Sequence, residues 1–133
     1  MKTRTIFVAL LITFLHTATA LASTDGLDEV NAVRATRGLR PFVRNNDLTR
    51  AASGCADFRA ERLIAGHTSN DFTALPSGTY AAATGCAAWT PDFGWGACCT
   101  YENWTYAGAA WTYAGAAWTI GRDGRRYMHL FVR

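Results

Sequence analysis

The chain has 133 residues, half of them hydrophobic and 17% charged, which suits one domain with a modest core and excludes a second domain of ordinary size. Two of the 13 basic residues, Lys2 and Arg4, precede an apolar N-terminal run. Beyond them, the arginines barely outnumber the acids, a balance that lacks the basic footprint of a nucleic-acid binder.

Lys2 and Arg4, the apolar stretch Ile6 to Leu15, and Ala20-Leu21-Ala22 read as a signal peptide over residues 1–22, leaving 23–133 as a single domain. The apolar run is too short to cross a bilayer, and no later run approaches that length. The expectation is an exported protein, secreted or periplasmic, with no stable membrane span. All four cysteines, Cys55, Cys86, Cys98 and Cys99, fall in the exported part. An even count there predicts disulfides rather than metal thiolates. Adjacent Cys98 and Cys99 cannot bridge each other without a strained ring, so each is expected to take a different partner, Cys86 and Cys55, with three connectivities formally open.

In chain order, Asp25 is placed to cap a first helix from Gly26 or Leu27, with Asp28 and Glu29 in the first turn. Gly38 supplies a left-handed stop and Pro41 forbids continuation. Arg40 to Arg44 reads as an extended connector. Asn46 or Asp47 is expected to cap a second helix with an apolar stripe of Leu48, Ala51, Ala52, Cys55 and Phe58. Ser53, Asp57, Arg59, Glu61 and Arg62 are assigned to its outer face, and Gly66 to its end. From Thr68 to Ala97 the punctuation predicts a long loop pinned by cysteines, onto which Trp89, Phe93 and Trp95 pack unless they line a groove.

An exact tandem repeat follows, Trp104-Thr-Tyr-Ala-Gly-Ala-Ala110 and Trp111-Thr-Tyr-Ala-Gly-Ala-Ala117, then Trp118-Thr119-Ile120. Its glycines, threonines and aromatics favour short strands, with turns expected near Ala107-Gly108 and Ala114-Gly115. An odd period along one uninterrupted strand would send successive tryptophans to opposite faces, so at least one turn or bulge is required. A hairpin closes the chain through Gly121-Arg122-Asp123-Gly124, with Met128, Leu130 and Val132 on one face of the last strand and Tyr127, His129 and Phe131 on the other. Two apolar faces imply a sheet between layers, with the two N-terminal helices as candidates for one layer.

The runs Leu27-Asp-Glu-Val-Asn-Ala-Val-Arg-Ala35, Gly38-Leu-Arg-Pro-Phe42, Asp47-Leu-Thr-Arg-Ala-Ala52 and Gly66-His67-Thr68 together resemble the opening of the CAP superfamily (cysteine-rich secretory proteins, antigen 5, pathogenesis-related 1). Tyr101-Glu102-Asn103 is similar to the family's Gly-Glu-Asn element, and Gly121 to Phe131 to its closing hairpin. The resemblance implies an α+β fold, a small α-β-α sandwich with the two N-terminal helices packed on a C-terminal antiparallel sheet. Because the Trp-Thr-Tyr-Ala-Gly repeat stands where the family carries another helix, the third helical layer is expected to be reduced or missing. It also implies a cleft of two histidines and two glutamates that holds a divalent metal such as zinc. Only His67 and Glu102 match that set by motif.

His67 and Glu102 are therefore the candidate metal ligands and candidate catalytic pair, with Glu61 as a third ligand by proximity alone; zinc takes three or four. The structural alternative has His67 interacting with the end of its helix and Glu102 accepting hydrogen bonds in a loop. His129 reads as a strand-face residue hydrogen-bonded across the sheet. Three functions fit. The first is non-catalytic binding of an apolar small molecule of lipid or sterol type, or of an extracellular protein, with Trp89, Trp95 and Trp104 as groove candidates. The second is a metal-dependent hydrolase at the cell envelope using His67 and Glu102. The third is a purely structural envelope protein.

Overall fold

A computed structural model describes residues 22–89 and 111–133. The element order is β1 (Thr24–Asp25), α1 (Leu27–Thr36), β2 (Val43–Arg44), α2 (Asn46–Arg62), a 3-10 turn (Asp71–Ala74), β3 (Ala83–Trp89), β4 (Tyr113–Ile120) and β5 (Arg126–Val132). The strands form one sheet in the order β1-β4-β5-β3, with β2 also paired to β4. β1 runs antiparallel against Ala117 and Trp118, and β2 parallel against Tyr113 and Ala114, so both short strands share the edge of β4 opposite β5.

α1 begins where Asp25 accepts a hydrogen bond from the Leu27 N–H at 2.9 Å, and it stops before Gly38, whose φ of +70° suits glycine. α2 is capped by Asn45, whose Oδ1 accepts from the Leu48 N–H at 3.0 Å. It ends at Leu63 in the left-handed conformation, ahead of the expected stop at Gly66. The carbonyls of Ile64 and Gly66 turn back to the guanidinium of Arg59 instead of continuing the helix.

The expected class, helices on a C-terminal antiparallel sheet, is the class observed. The two helices do not share a layer, however. Leu27 and Val30 of α1 pack with Phe42 against Ala114, Ala116, Met128, Leu130 and Val132. Leu48, Ala51, Ala52, Cys55 and Ala56 of α2 pack against Ala117 and Phe131. Successive strand residues point to opposite faces, so α1 covers one side of the sheet and α2 the other.

β4 accounts for the second copy of the repeat. Its run Ala114-Gly115-Ala116-Ala117 is buried throughout, and small side chains let both helices close on it. Gly115 has no alternative there, because a Cβ would overlap the α2 backbone at Leu48 and Thr49. The turn expected near Ala114-Gly115 is therefore absent, and 113–120 is one uninterrupted strand. Trp111 and Trp118 nevertheless both pack on the α1-side cluster, since residue 111 precedes the strand and is not bound by its alternation. The first copy, 104–110, lies outside the described residues.

The loop expected over 68–97 contains structure: the 3-10 turn, and β3 paired with β5 from Ala83↔Val132 to Trp89↔Arg126. Alanine, glycine and cysteine hide this strand from a periodicity argument, and pairing with the apolar β5 supplies what local propensity lacks. The closing hairpin is as expected, with Gly124 at a φ of +79° and the Gly121 N–H donating to Arg125 O at 2.9 Å.

Candidate functional site

The α2 side of the sheet carries a buried polar chain. Arg59 occupies the core spacing Leu48, Ala52, Cys55, Arg59, at intervals of four and three residues, and its side chain is 1% exposed. A charge this deep needs partners on every donor. Nε donates to His129 Nδ1 at 3.1 Å, Nη2 to Asp71 Oδ1 at 2.6 Å, and Nη1 to the carbonyl of Gly66.

Asp71, in the 3-10 turn, is the counter-charge. Its Oδ1 also accepts from the Thr68 hydroxyl at 2.9 Å, and its Oδ2 pairs with His67 Nδ1 at 2.8 Å. Burial pushes the Asp71 carboxyl up, but the hydrogen bonds from His67 and Thr68 and the Arg59 charge together outweigh it and hold it below the ordinary carboxylate value.

His129, fully buried on β5, ends the chain. Burial, reinforced by the adjacent Arg59 charge, pushes its pKa down to about 3, so the ring is neutral at physiological pH. Because Arg59 only donates, His129 Nδ1 accepts, and the ring proton sits on Nε2. Nε2 lies 2.6 Å from Thr84 Oγ1, and the Thr84 hydroxyl donates to Leu130 O at 2.9 Å. Every polar atom from Asp71 to Leu130 is thus accounted for.

His67 differs from the rest. Its side chain is 57% exposed while its Nδ1 faces the buried carboxylate. Asp71 holds the imidazole with Nε2 directed away from the carboxylate, the arrangement by which outer carboxylates orient metal-ligating or base histidines.

Beside this chain, α2 and the segment 68–74 enclose a cavity of about 390 Å3. Gly54, Cys55, Phe58 and Ala74 line it, along with Arg59 and Asp71 and the polar residues Thr68, Asn70 and Thr73. The sulfur of Cys55 sits 3.4 Å from Asp71 O.

Among the residues expected at the site, His67 lies at the mouth of the polar chain, facing Asp71. Glu61 pairs with Arg62 at the surface, and among the described residues no three His, Cys, Asp or Glu side chains come together as a metal site. The described residues therefore do not complete a divalent-metal shell. Glu102, Trp95, Trp104, Cys98 and Cys99 lie outside the described residues. Cys86 and Trp89 belong to β3, with only their backbone described. Sequence reasoning set Arg59 on the outer face of α2 and passed over Asp71 and Thr84. Arg59 had a signal: it stands four residues after Cys55 and seven after Ala52, in a core slot. Asp71 and Thr84 had none, since both sit in stretches that read as loop.

The family model described as the cysteine-rich secretory protein family, CAP, matches residues 27–129. The chain is a member of the CAP family. No curated protein and no solved structure matches it significantly.

Proposed function

We propose that this CAP domain is an exported, non-catalytic binding protein for a small apolar molecule, seated in the cavity between α2 and residues 68–74. The observation that carries this reading is the pairing state of the cavity wall. Arg59 and Asp71 neutralise each other, and neutral His129 is saturated by Arg59 and Thr84. What remains for a ligand is the apolar surface of Phe58, Cys55 and Ala74, edged by Thr68 and Thr73, whose hydroxyls donate to Asp71 and to Asn70 O, and by Asn70. An apolar concavity with a small polar edge is the usual form of a small-molecule pocket.

Gly54 gives the test. Open space surrounds the position where its Cβ would stand, so Gly54→Leu fills the cavity while improving helix propensity. Titration with a fluorescent fatty-acid probe should give saturable binding to the parent and at least tenfold weaker binding to the variant. Equal binding by both proteins would remove the cavity from consideration.

A second reading rests on His67. With Nδ1 oriented by Asp71, Nε2 could serve as a ligand or base in an envelope hydrolase in which Glu102 is the partner. Loss of ester or peptide hydrolysis in both His67→Ala and Glu102→Gln would support it. Undiminished activity in either variant would end it.

A further inference from the structure

We propose that β4 has two interchangeable occupants: the tandem repeat allows residues 104–112 to take the place of residues 111–119 by a seven-residue register shift. The two stretches are identical at all nine positions, Trp-Thr-Tyr-Ala-Gly-Ala-Ala-Trp-Thr. Register is normally specified because a slip carries the wrong side chains to each face. Here the shift carries the right ones.

Each demand of the β4 slot is met by the other copy. The site of Gly115, where a Cβ would overlap the α2 backbone at Leu48 and Thr49, receives Gly108. The buried positions of Ala114, Ala116 and Ala117 receive Ala107, Ala109 and Ala110. Trp118, whose Nε1 donates to Glu29 at 3.0 Å, is replaced by Trp111. Thr119, whose hydroxyl donates to Asp57 at 2.6 Å, is replaced by Thr112. The one strand residue that changes is Ile120, replaced by Tyr113 at an exposed position.

The ends of the strand decide which register dominates. In the observed one, residues 121–125 form a tight turn in which Gly121 leaves no room for a Cβ beside the Tyr127 ring, and Arg122 reaches Glu61 O at 3.1 Å. The shifted register puts Ala114 at the Gly121 position and lengthens the connection to residues 114–125. Loop-closure entropy rises slowly with length, so the second state lies above the first without being remote from it. The exchange moves seven residues of chain from one end of β4 to the other.

Three variants test this: Gly108→Ala, Gly115→Ala and the double substitution, each followed by thermal unfolding and by peptide-resolved hydrogen exchange. Gly108→Ala should keep the parent Tm. Gly115→Ala should still unfold cooperatively at a lower Tm, with protection transferred from 113–120 to 106–113 and lost over 121–125. The double variant should show no cooperative transition. The exchange is overturned if Gly115→Ala is as unfolded as the double variant, if its protection stays on 113–120, or if the double variant melts like Gly115→Ala.

Discussion

Arg59 and His129 stand 70 residues apart in the chain and meet across the α2 face of the sheet, Nε to Nδ1 at 3.1 Å. That contact fixes the tautomer of the histidine, and it ties the last turn of α2 to β5. The charge it buries is balanced by Asp71 from a third element.

Removing one member of such a pair leaves the other as a buried, uncompensated charge. Arg59→Met should cost about 3–5 kcal/mol in urea unfolding, because Asp71 keeps its carboxylate. The double variant Arg59→Met with Asp71→Asn should be less destabilised than the sum of the single changes, since it removes both charges together.

Stability should fall on acidification well above the carboxylate range. His129 is depressed to about 3 in the folded chain against an ordinary value of 6.5. The unfolded chain therefore takes up a proton that the folded chain refuses. Stability from this group is complete above about pH 6.5 and is lost as pH falls from there toward 3, at up to about 1.4 kcal/mol per pH unit. Depressed Asp71 adds a further loss below its ordinary value of 3.8. Urea midpoints measured from pH 7.5 to 4 should decline for the parent, and more shallowly for His129→Gln.

Thr84→Val keeps the shape of the β3 residue but strips the acceptor from His129 Nε2–H and the donor from Leu130 O. An orphaned buried donor costs about 1–3 kcal/mol. Thr84→Ser, which retains the hydroxyl, should recover most of the loss in the same unfolding assay.

Asn45→Ala removes the side-chain acceptor that caps the Leu48 N–H at the start of α2. The expected loss is about 1 kcal/mol. Circular dichroism during thermal unfolding should show a lower midpoint with unchanged helix content at low temperature.

Local chemistry is legible in the sequence because its causes lie within a few residues. Asp25 and Gly38 bracket α1, the Leu48, Ala52 and Cys55 spacing marks the buried side of α2, and alternation in Arg126–Val132 separates Met128 and Leu130 from His129 and Phe131. The motifs around His67 and Asp47-Leu48 are enough to reach the family, and one end of the site, His67, comes with them. Tertiary structure alone decided the rest. It placed the helices on opposite faces, made 113–120 a continuous strand and gave Arg59, whose spacing already put it in a core slot, the partners that let its charge be buried, because each outcome depends on a residue far away in the chain. Gly115 is required by the α2 backbone, Arg59 is tolerated only because Asp71 and His129 satisfy it, and β3 forms only where β5 pairs with it. No periodicity within the chain encodes those distances; they exist only once the sheet has closed.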